Sequence, residues 1–538
     1  MGKNRSNVRW PLFAALTLYW LTLAVFIVVS VNRNDGHFIY PLDDTYIHMA
    51  IAKNVALHGV WGITEYGFSS STSSPLWTAL LVVVYAVFGV NEIAPLILNI
   101  LFGTLIVLSV DFILKPHVQR PVLRFLLLSL VVLAAPLPTI TFISMEHTLH
   151  GLLTLWFVYL SARALASSDP AVKQYAALIT LSFFLTIARY EGLFAAAIVC
   201  LFLLLNKRWK PAFLIGLAGV LPVTLYGLWS LAHGWYFIPN SVLIKANTST
   251  LSIGGGLPFA LGFILVNVVY APHLITLLFA SSIVLYRRLP RSMRDETTYL
   301  NAIFIVMSLL QIIFARVGWL FRYDAYLLIV GLTAIALTIQ ADSSKGLMRL
   351  YTKTSAFMHV LYGIIALSFV LSFAYRIFDS LQKTPRASTN IYQQQYQMAR
   401  FLKQYYSMDS VAINDIGAIS YFTDTQLVDL AGLGSMESAR AKLLNGYTTS
   451  TMRDIARVKD VKIAVVYEKW YDPYGGLPPE WQRVGGWEVQ NSVILGGNIV
   501  SFFAVDPAQK EILAQNLADF ASQLPPQIIQ HGIYLQQQ

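Results

Sequence analysis

Residues 43–77 read DDTYIHMAIAKNVALHGVWGITEYGFSSSTSSPLW, and together with Pro41 and Leu42 they form the stretch around which the rest of the chain is organised. It opens with two adjacent carboxylates, Asp43 and Asp44, directly after the first long apolar run, and it ends in a Ser/Thr-rich segment before Pro75. Further polar candidates within the next ten residues are Tyr46, His48 and Lys53. This concentration of polar groups beside an apolar run predicts one wall of an active site at a membrane–water boundary.

The composition is that of a polytopic membrane protein. Of 538 residues, 56% are hydrophobic and only 12% are charged, against about 25% in soluble domains, and the mean hydropathy is +0.58. The net charge of +10 arises from Lys and Arg in short loops between apolar runs, which is the topology signal of cytoplasmic loops and not a nucleic-acid footprint. The single cysteine, Cys200, excludes a disulfide within the chain.

The first apolar run, Pro11–Val31, is long enough to cross a bilayer and follows Lys3, Arg5 and Arg9. We interpret it as a signal anchor, which places the N-terminus in the cytoplasm and the loop 32–75 outside. The next run, 76–89, is too short to span comfortably. If it spanned, every later basic loop would be inverted, so we predict an interfacial or re-entrant helix.

The remaining apolar runs bring the prediction to about 11 transmembrane helices. The predicted spans are 11–31, 93–114, 122–140, 148–162, 174–188, 192–206, 211–232, 260–286, 299–315, 324–340 and 355–375. The predicted fold is therefore an α-helical polytopic membrane module, 1–378, followed by a soluble extracytoplasmic domain, 379–538.

The C-terminal segment has alternating strand and helix patterns. The predicted strands are Val411–Ile413, Ile463–Val466 and Ser492–Val505, the last interrupted by two glycines. The predicted helices are Tyr392–Tyr405 and Ala508–Leu524. We expect an α/β or α+β domain on the outer membrane face.

Asp43 and Asp44 are the predicted catalytic residues. Adjacent like charges raise the pKa of one partner, which suits a general base or a ligand for a divalent cation. Alternatively, Asp43 caps a helix that begins near Tyr46. No other metal site is predicted.

Charged groups at the outer ends of spans are the other candidates, because ionisable groups are costly there. Arg189, Lys245 and Arg322 could bind a phosphate together, since guanidinium and ammonium groups suit phosphate oxygens. The remaining candidates for substrate binding are Tyr46, His48, Lys53, Glu146 and Glu191. The alternatives are interfacial ion pairs for the charged groups and a structural role for His48 in place of proton transfer with Asp44.

Several short motifs, in chain order, resemble the bacterial C-type (GT-C) membrane glycosyltransferases. The first loop carries Asp-Asp-x-Tyr, then Ala-x-Asn-x-Ala-x-x-Gly, then Thr-Ser-Ser-Pro-Leu-Trp. Further similar segments are Ser144–Thr148, Arg189–Gly192, Pro239–Ser241 with Lys245, Arg322–Tyr323, Asp415–Ile419 and Val428–Leu433. The sequence is most similar to the cell-wall arabinofuranosyltransferase branch and its uncharacterised relatives. It departs from the family pattern at His147, where threonine is common, and at Tyr190, where proline is common.

The resemblance implies a glycosyltransferase in the bacterial cytoplasmic (inner) membrane. Such enzymes move a sugar from a polyprenyl-phosphate donor to a glycan, lipid or protein acceptor on the outer face, and a first-loop aspartate is the base. That role falls on Asp43 or Asp44. Besides these substrates the predicted partners are membrane lipids, with no nucleic acid.

Three other interpretations remain open at this point. A transporter or flippase of lipid-linked saccharides would place charges in mid-membrane and show internal repeats. An O-antigen-type polymerase would have its large loop in mid-chain. A metal-dependent, oligosaccharyltransferase-like mechanism would use a divalent cation at Asp43 and Asp44.

Overall fold

Apolar runs fold into helices along the first 391 residues. The computed structural model describes residues 9–247, 256–288, 295–344 and 356–537. The helices in this part are Trp10–Arg33, Asp43–His58, Pro75–Phe88, Ala94–Leu114, Pro121–Ala134, Leu137–Ile143, His147–Ala166, Val172–Ala188, Gly192–Leu205, Trp209–Ala232, Asn240–Asn247, Gly256–Tyr270, Pro272–Arg288, Glu296–Phe314, Ala325–Ser344 and Ala356–Ile391.

The chain is an integral membrane protein. Seven described helices are long and apolar enough to cross a bilayer, and the count is eight if one bent pair forms a single span. This is fewer than the eleven predicted spans, because three of them coincide with shorter apolar helices, Val172–Ala188, Gly192–Leu205 and Ala325–Ala341. A helix of 14 or 17 residues rises only about 21–26 Å, less than the roughly 30 Å hydrocarbon core.

The span predicted at 260–286 is not one straight helix. Leu261–Tyr270 and Pro272–Arg288 meet at an angle of 91°. Pro272 has no backbone N–H to continue the first helix, and it disfavours helical geometry at Ala271 before it. The sequence pattern missed this bend because both halves are equally apolar.

The chain divides into two compact units. The first unit is Met1–Phe26, Leu96–Leu225 and Gly256–Gln382, and the second is Ile27–Pro95, Tyr226–Gly255 and Lys383–Gln538. The predicted first loop thus belongs to the same unit as the C-terminal segment.

A buried ion network fixes one loop of the first unit. Asp324, fully buried, lies 2.6 Å from His273 Nε2 and 3.2 Å from Arg376 Nη2. Its other oxygen accepts the N–H of Gly318, and Arg376 donates to the Phe321 carbonyl. The loop needs this support, because residues 318–321 all have positive φ and such backbone costs free energy at the three that are not glycine.

The C-terminal segment forms a six-stranded mixed sheet. Its strands are β1 (Ser410–Ile413), β2 (Gln426–Asp429), β3 (Val461–Val466), β4 (Gln482–Glu488), β5 (Ile499–Ala504) and β6 (Ile529–Gly532). The order is β2-β1-β3-β5-β4-β6. β1 pairs in parallel with β2 and β3, and the other pairings are antiparallel.

Helices complete this domain and confirm the predicted α/β character. They are the π-helical turn Tyr392–Tyr396 and the α-helices Gln397–Tyr405, Gly417–Phe422, Met436–Leu443, Thr449–Val458 and Gln509–Phe520. The predicted strand Ser492–Val505 begins only at Ile499. Gly496 and Gly497 instead lie against Trp470 and Tyr467, where an added Cβ would come within 2.4 and 2.8 Å of the rings.

We expect Trp487→Ala to destabilise this domain strongly. The side chain is fully buried, stacks on Phe520 and contacts Phe502, so its loss should lower the free energy of unfolding by about 3–5 kcal/mol. Denaturant titration followed by circular dichroism measures this. Met408→Ala, at a side chain that is 84% exposed, is the control, and equal midpoints for the two variants would contradict the assignment.

Candidate functional site

Asp43 links the first loop to the C-terminal sheet domain. It is the first residue of the helix Asp43–His58, is partly exposed, and accepts two backbone hydrogen bonds from the start of the helix Gly417–Phe422. Gly417 N lies 2.7 Å from Oδ2 and Ala418 N lies 2.8 Å from Oδ1. The predicted capping of a helix near Tyr46 is wrong, because no side chain caps the helix Asp43–His58. Asp43 instead accepts N–H bonds from a helix that begins 374 residues away in the sequence.

Gly417 permits this contact because it has no side chain. A Cβ at this position would stand 2.0 Å from the Asp43 carbonyl oxygen and 2.7 Å from Oδ2. The former contact is with backbone, which cannot rotate away. The close approach of the two segments therefore requires glycine here.

The electrostatic surroundings raise the pKa of Asp43. Burial is the largest cause, followed by the negative charge of Asp415, with a smaller effect from Asp44. The hydrogen bonds from Gly417 and Ala418 oppose the rise. The pKa of Asp43 therefore lies above the ordinary carboxyl range, nearer to the value at which a carboxylate exchanges protons at neutral pH.

Asp415 is the second carboxylate of this site. It follows β1 and is partly exposed. Gln395 Nε2 and the Tyr467 hydroxyl each lie 2.8 Å from its Oδ2. Tyr467 follows β3, and its backbone N–H donates to Asn414 Oδ1 at 2.8 Å, so the loops after the two strands are tied together.

The other first-loop candidates are engaged in structural contacts. Tyr46 is 1% exposed, and its hydroxyl accepts the N–H of Tyr40 at 3.0 Å. His48 is buried with Nδ1 2.9 Å from Thr78 Oγ1. Lys53 bonds Asp424 Oδ1 at 3.0 Å and donates to the Tyr421 carbonyl. These contacts join the loop to its neighbours and favour the structural interpretation for all three side chains.

Both oxygens of the Asp43 carboxylate accept backbone N–H bonds. Within the described ranges, no group of three or more His, Cys, Asp or Glu side chains is placed to hold a metal ion. A divalent cation at Asp43 and Asp44 stays a prediction for metal depletion to test.

In the first unit, Glu146, Arg189 and Glu191 form one ion cluster. Arg189 Nη1 lies 2.5 Å from Glu146 Oε1, and Nη2 and Nε pair with the two oxygens of Glu191 at 2.6 and 3.1 Å. Glu146 is fully buried. All three nitrogens of the guanidinium thus donate to carboxylates, which favours an ion-pair role for Arg189 over phosphate binding.

Tyr323 brings Arg189 and Arg322 close together. The guanidinium carbons of Arg189 and Arg322 lie 5.5 and 4.8 Å from its ring centroid. Arg322 Nη2 donates to the Tyr323 hydroxyl at 3.0 Å. The third predicted phosphate ligand, Lys245, lies in the helix Asn240–Asn247, and its side chain lies outside the described part of the chain.

Sequence reasoning missed three contributors to these sites. His273 and Arg376 hold the loop that carries Arg322. Each is isolated in an apolar run, so the one sequence signal for a special role was the free-energy cost of placing an ionisable group in a membrane helix. Asp415 stood in a motif of the family resemblance, but nothing in the sequence placed it beside Asp43.

An apolar cavity of about 470 Å³ opens among three helices of the first unit. Its walls come from Pro272–Arg288, Ala325–Ser344 and Ala356–Ile391, and include Ile283, Ile339 and Ile365. Apart from Tyr362 the lining residues are aliphatic or Phe, and such a lining suits a hydrocarbon chain.

The comparisons with known proteins cover the C-terminal domain and the fold. Residues 389–503 match the family described as Domain of unknown function (DUF8728). No curated protein matches the sequence. The crystal structure of ArnT from Cupriavidus metallidurans bound to undecaprenyl phosphate is similar, with a TM-score of 0.49 and 13% identity over 91% of this chain and 98% of that chain. This likeness is too weak to transfer an activity or any residue role.

We expect Gly417→Ala to break the contact with Asp43. The new methyl group overlaps the Asp43 backbone, and overpacking of this kind costs about 1–3 kcal/mol. The two amide protons at positions 417 and 418 should also exchange faster with solvent, as hydrogen-exchange mass spectrometry would measure. Gly446→Ala is the matched control, because its added Cβ meets its nearest neighbour at 3.9 Å; unchanged exchange in Gly417→Ala would contradict the geometry.

We expect Arg189→Ala to destabilise the first unit by about 3–5 kcal/mol, because it removes the arginine that pairs with the fully buried Glu146 carboxylate. Thermal unfolding in detergent measures the loss. Arg163→Ala removes a pair at 4.0 Å whose arginine is 52% exposed and should change little. A fully stable Arg189→Ala protein that binds polyprenyl phosphate weakly would favour phosphate binding instead.

Proposed function

We propose that this protein is a glycosyltransferase that moves a sugar from a polyprenyl-phosphate donor to a cell-envelope glycan, lipid or protein on the outer membrane face. The observation that carries the proposal is the partly exposed Asp43 carboxylate, held against Gly417 and Ala418 with its pKa raised. The motifs that resemble the C-type glycosyltransferases provide the reaction class.

Asp43 is suited to act as the general base. The acceptor hydroxyl must lose a proton as its oxygen attacks the anomeric carbon, and a carboxylate within hydrogen-bond reach takes that proton. The raised pKa brings Asp43 closer to working pH, and the backbone N–H bonds fix its orientation. Asp44, adjacent on the same helix, is the alternative base.

The leaving group of this reaction is a lipid phosphate. The carbon–oxygen bond of the donor breaks toward that phosphate, and a cation stabilises its developing negative charge. Arg322, whose guanidinium lies over the Tyr323 ring, stays a predicted ligand of this phosphate because a guanidinium suits phosphate oxygens. The apolar cavity among the three helices supports binding of the polyprenyl chain.

The test is transfer of radiolabelled sugar from a panel of polyprenyl-phosphate donors to a membrane extract by protein reconstituted in vesicles. Asp43→Asn should reduce transfer by about a hundredfold or more while donor binding persists, because a general base contributes roughly 10²–10⁴ in rate. Asp44→Asn tests the alternative base, and Asp454→Asn, at a side chain that is 60% exposed, is the control.

The pH profile provides an internal check. Because the pKa of Asp43 is raised, the base is protonated as the pH falls through a range above that of ordinary carboxyls, and transfer should fall there.

Undiminished transfer by Asp43→Asn, Asp44→Asn and the double variant would contradict the mechanism. Movement of intact lipid-linked saccharide across the vesicle membrane without transfer would favour the flippase interpretation.

A further inference from the structure

The parallel half of the C-terminal sheet reverses its strand order beside Asp43. β1 lies between β2 and β3, so the chain runs outward to β2 and then crosses to β3 on the other side. In open sheets of this kind, ligands bind outside the carboxyl ends of the strands at the point of reversal, here between β1 and β3. Asp415 follows β1 and Tyr467 follows β3, and both lie at this point.

The side chains around Asp415 form a polar layer at the edge of the domain core. Gln395 is 1% exposed and Tyr467 is 2% exposed, while Asp415 is partly exposed. Their hydrogen bonds converge on Asp415 Oδ2. Buried groups on the side of the domain core therefore fix the orientation of the Asp415 carboxylate, as a ligand-binding carboxylate requires.

Gln395 Oε1 is a buried polar atom at this point with no hydrogen-bond partner among the described residues. It belongs to the amide whose nitrogen bonds Asp415. Buried polar groups are rarely left without a partner in a native protein, so this atom points to a polar ligand or to ordered water.

The charges at this edge select the class of ligand. Asp43 and Asp415 are both carboxylates, and their field disfavours phosphates and other anions; Asp429, farther along the edge, interacts with the ammonium of Lys442. Hydroxyl groups, in contrast, donate to carboxylate and amide oxygens. A neutral polyol fits these groups, and a nucleotide does not.

We propose that the edge between β1 and β3 binds the hydroxyl groups of a sugar, with Asp415 as the principal acceptor and Gln395 Oε1 as the second. The groups at this edge fit polyols in general, and the choice of a sugar among them rests on the proposed function. The sugar of the donor and that of a glycan acceptor share this chemistry. Asp43, bonded to the turn directly after Asp415, lies at the same edge and so next to the bound hydroxyl groups.

The experiment measures binding without turnover. Full-length protein in lipid nanodiscs is mixed with methyl glycosides of arabinofuranose, mannose, glucose and galactose, and saturation-transfer NMR reports contact. At least one glycoside should bind the unmodified protein. Asp415→Asn should weaken that binding by about tenfold or more, the effect of one hydrogen bond to a charged group.

Asp415→Asn keeps the shape of the side chain, so its thermal stability in the same nanodiscs should stay close to that of the unmodified protein, which separates lost binding from lost folding. Tyr471→Phe, at a buried position packed with Met452 and Ala464 in another core cluster, and Asp454→Asn should bind the glycoside as the unmodified protein does. Absence of saturation transfer from all four glycosides, or equal binding by Asp415→Asn and the unmodified protein, would overturn the inference.

Competition separates the two sources of the sugar. Displacement of the glycoside by a polyprenyl-phosphate sugar, and not by free polyprenyl phosphate, assigns the site to the donor. Retention of the glycoside under both conditions assigns it to the acceptor. Glycoside binding by a protein that transfers no sugar would reject the proposed function and leave this inference standing.

Discussion

The carboxylate of Asp43 and the two N–H groups of Gly417 and Ala418 form the interaction on which the second unit depends. It joins a first-loop helix to the turn after β1 across 374 residues of sequence. A hydrogen bond between a carboxylate and a backbone N–H is stronger than a neutral one, and here two are made at once. The absence of a side chain at Gly417 allows the contact, and the neighbouring Asp415 keeps the carboxylate under electrostatic strain.

That strain connects structure with proposed chemistry. A carboxylate that served only as a cap would be most stable fully ionised, with a lowered pKa. At Asp43, burial and a second carboxylate act in the opposite direction and outweigh the two hydrogen bonds. The arrangement weakens the cap, and it fits the proposed role of Asp43 in proton transfer, since perturbed pKa values cluster at functional sites.

The sequence predicted the parts of the fold that rest on local patterns. Long apolar runs such as Trp10–Arg33 and Ala94–Leu114 formed the expected helices, because hydropathy alone decides them. Short strands such as β2 and β6 were missed, since Gln426–Asp429 and Ile529–Gly532 contain polar residues and lack the continuous apolar run that marks β1. β4 contains Gly485 and Gly486, which have low strand propensity.

The candidate site was predictable only where its residues are adjacent in the sequence. The adjacent pair of Asp43 and Asp44 is visible locally, whereas the partners of Asp43 come from the far end of the chain. Arg189 was expected at a phosphate, but Glu146 lies 43 residues away in the sequence, and their pairing follows only from the packing of helices. The sequence shows which residues are charged, but it does not show which of them form ion pairs.

By our proposal, Asp43 and Asp415 face the reacting sugar. The most direct measurement is a cryo-electron microscopy map of the protein in nanodiscs with a non-hydrolysable polyprenyl-phosphonate analogue of a donor that the protein uses. The account predicts sugar density within hydrogen-bond distance of both carboxylates, with the turn at Gly417 and Ala418 still bonded to Asp43. Sugar density beside Glu146 and Arg189 instead, with none near Asp43, would contradict it.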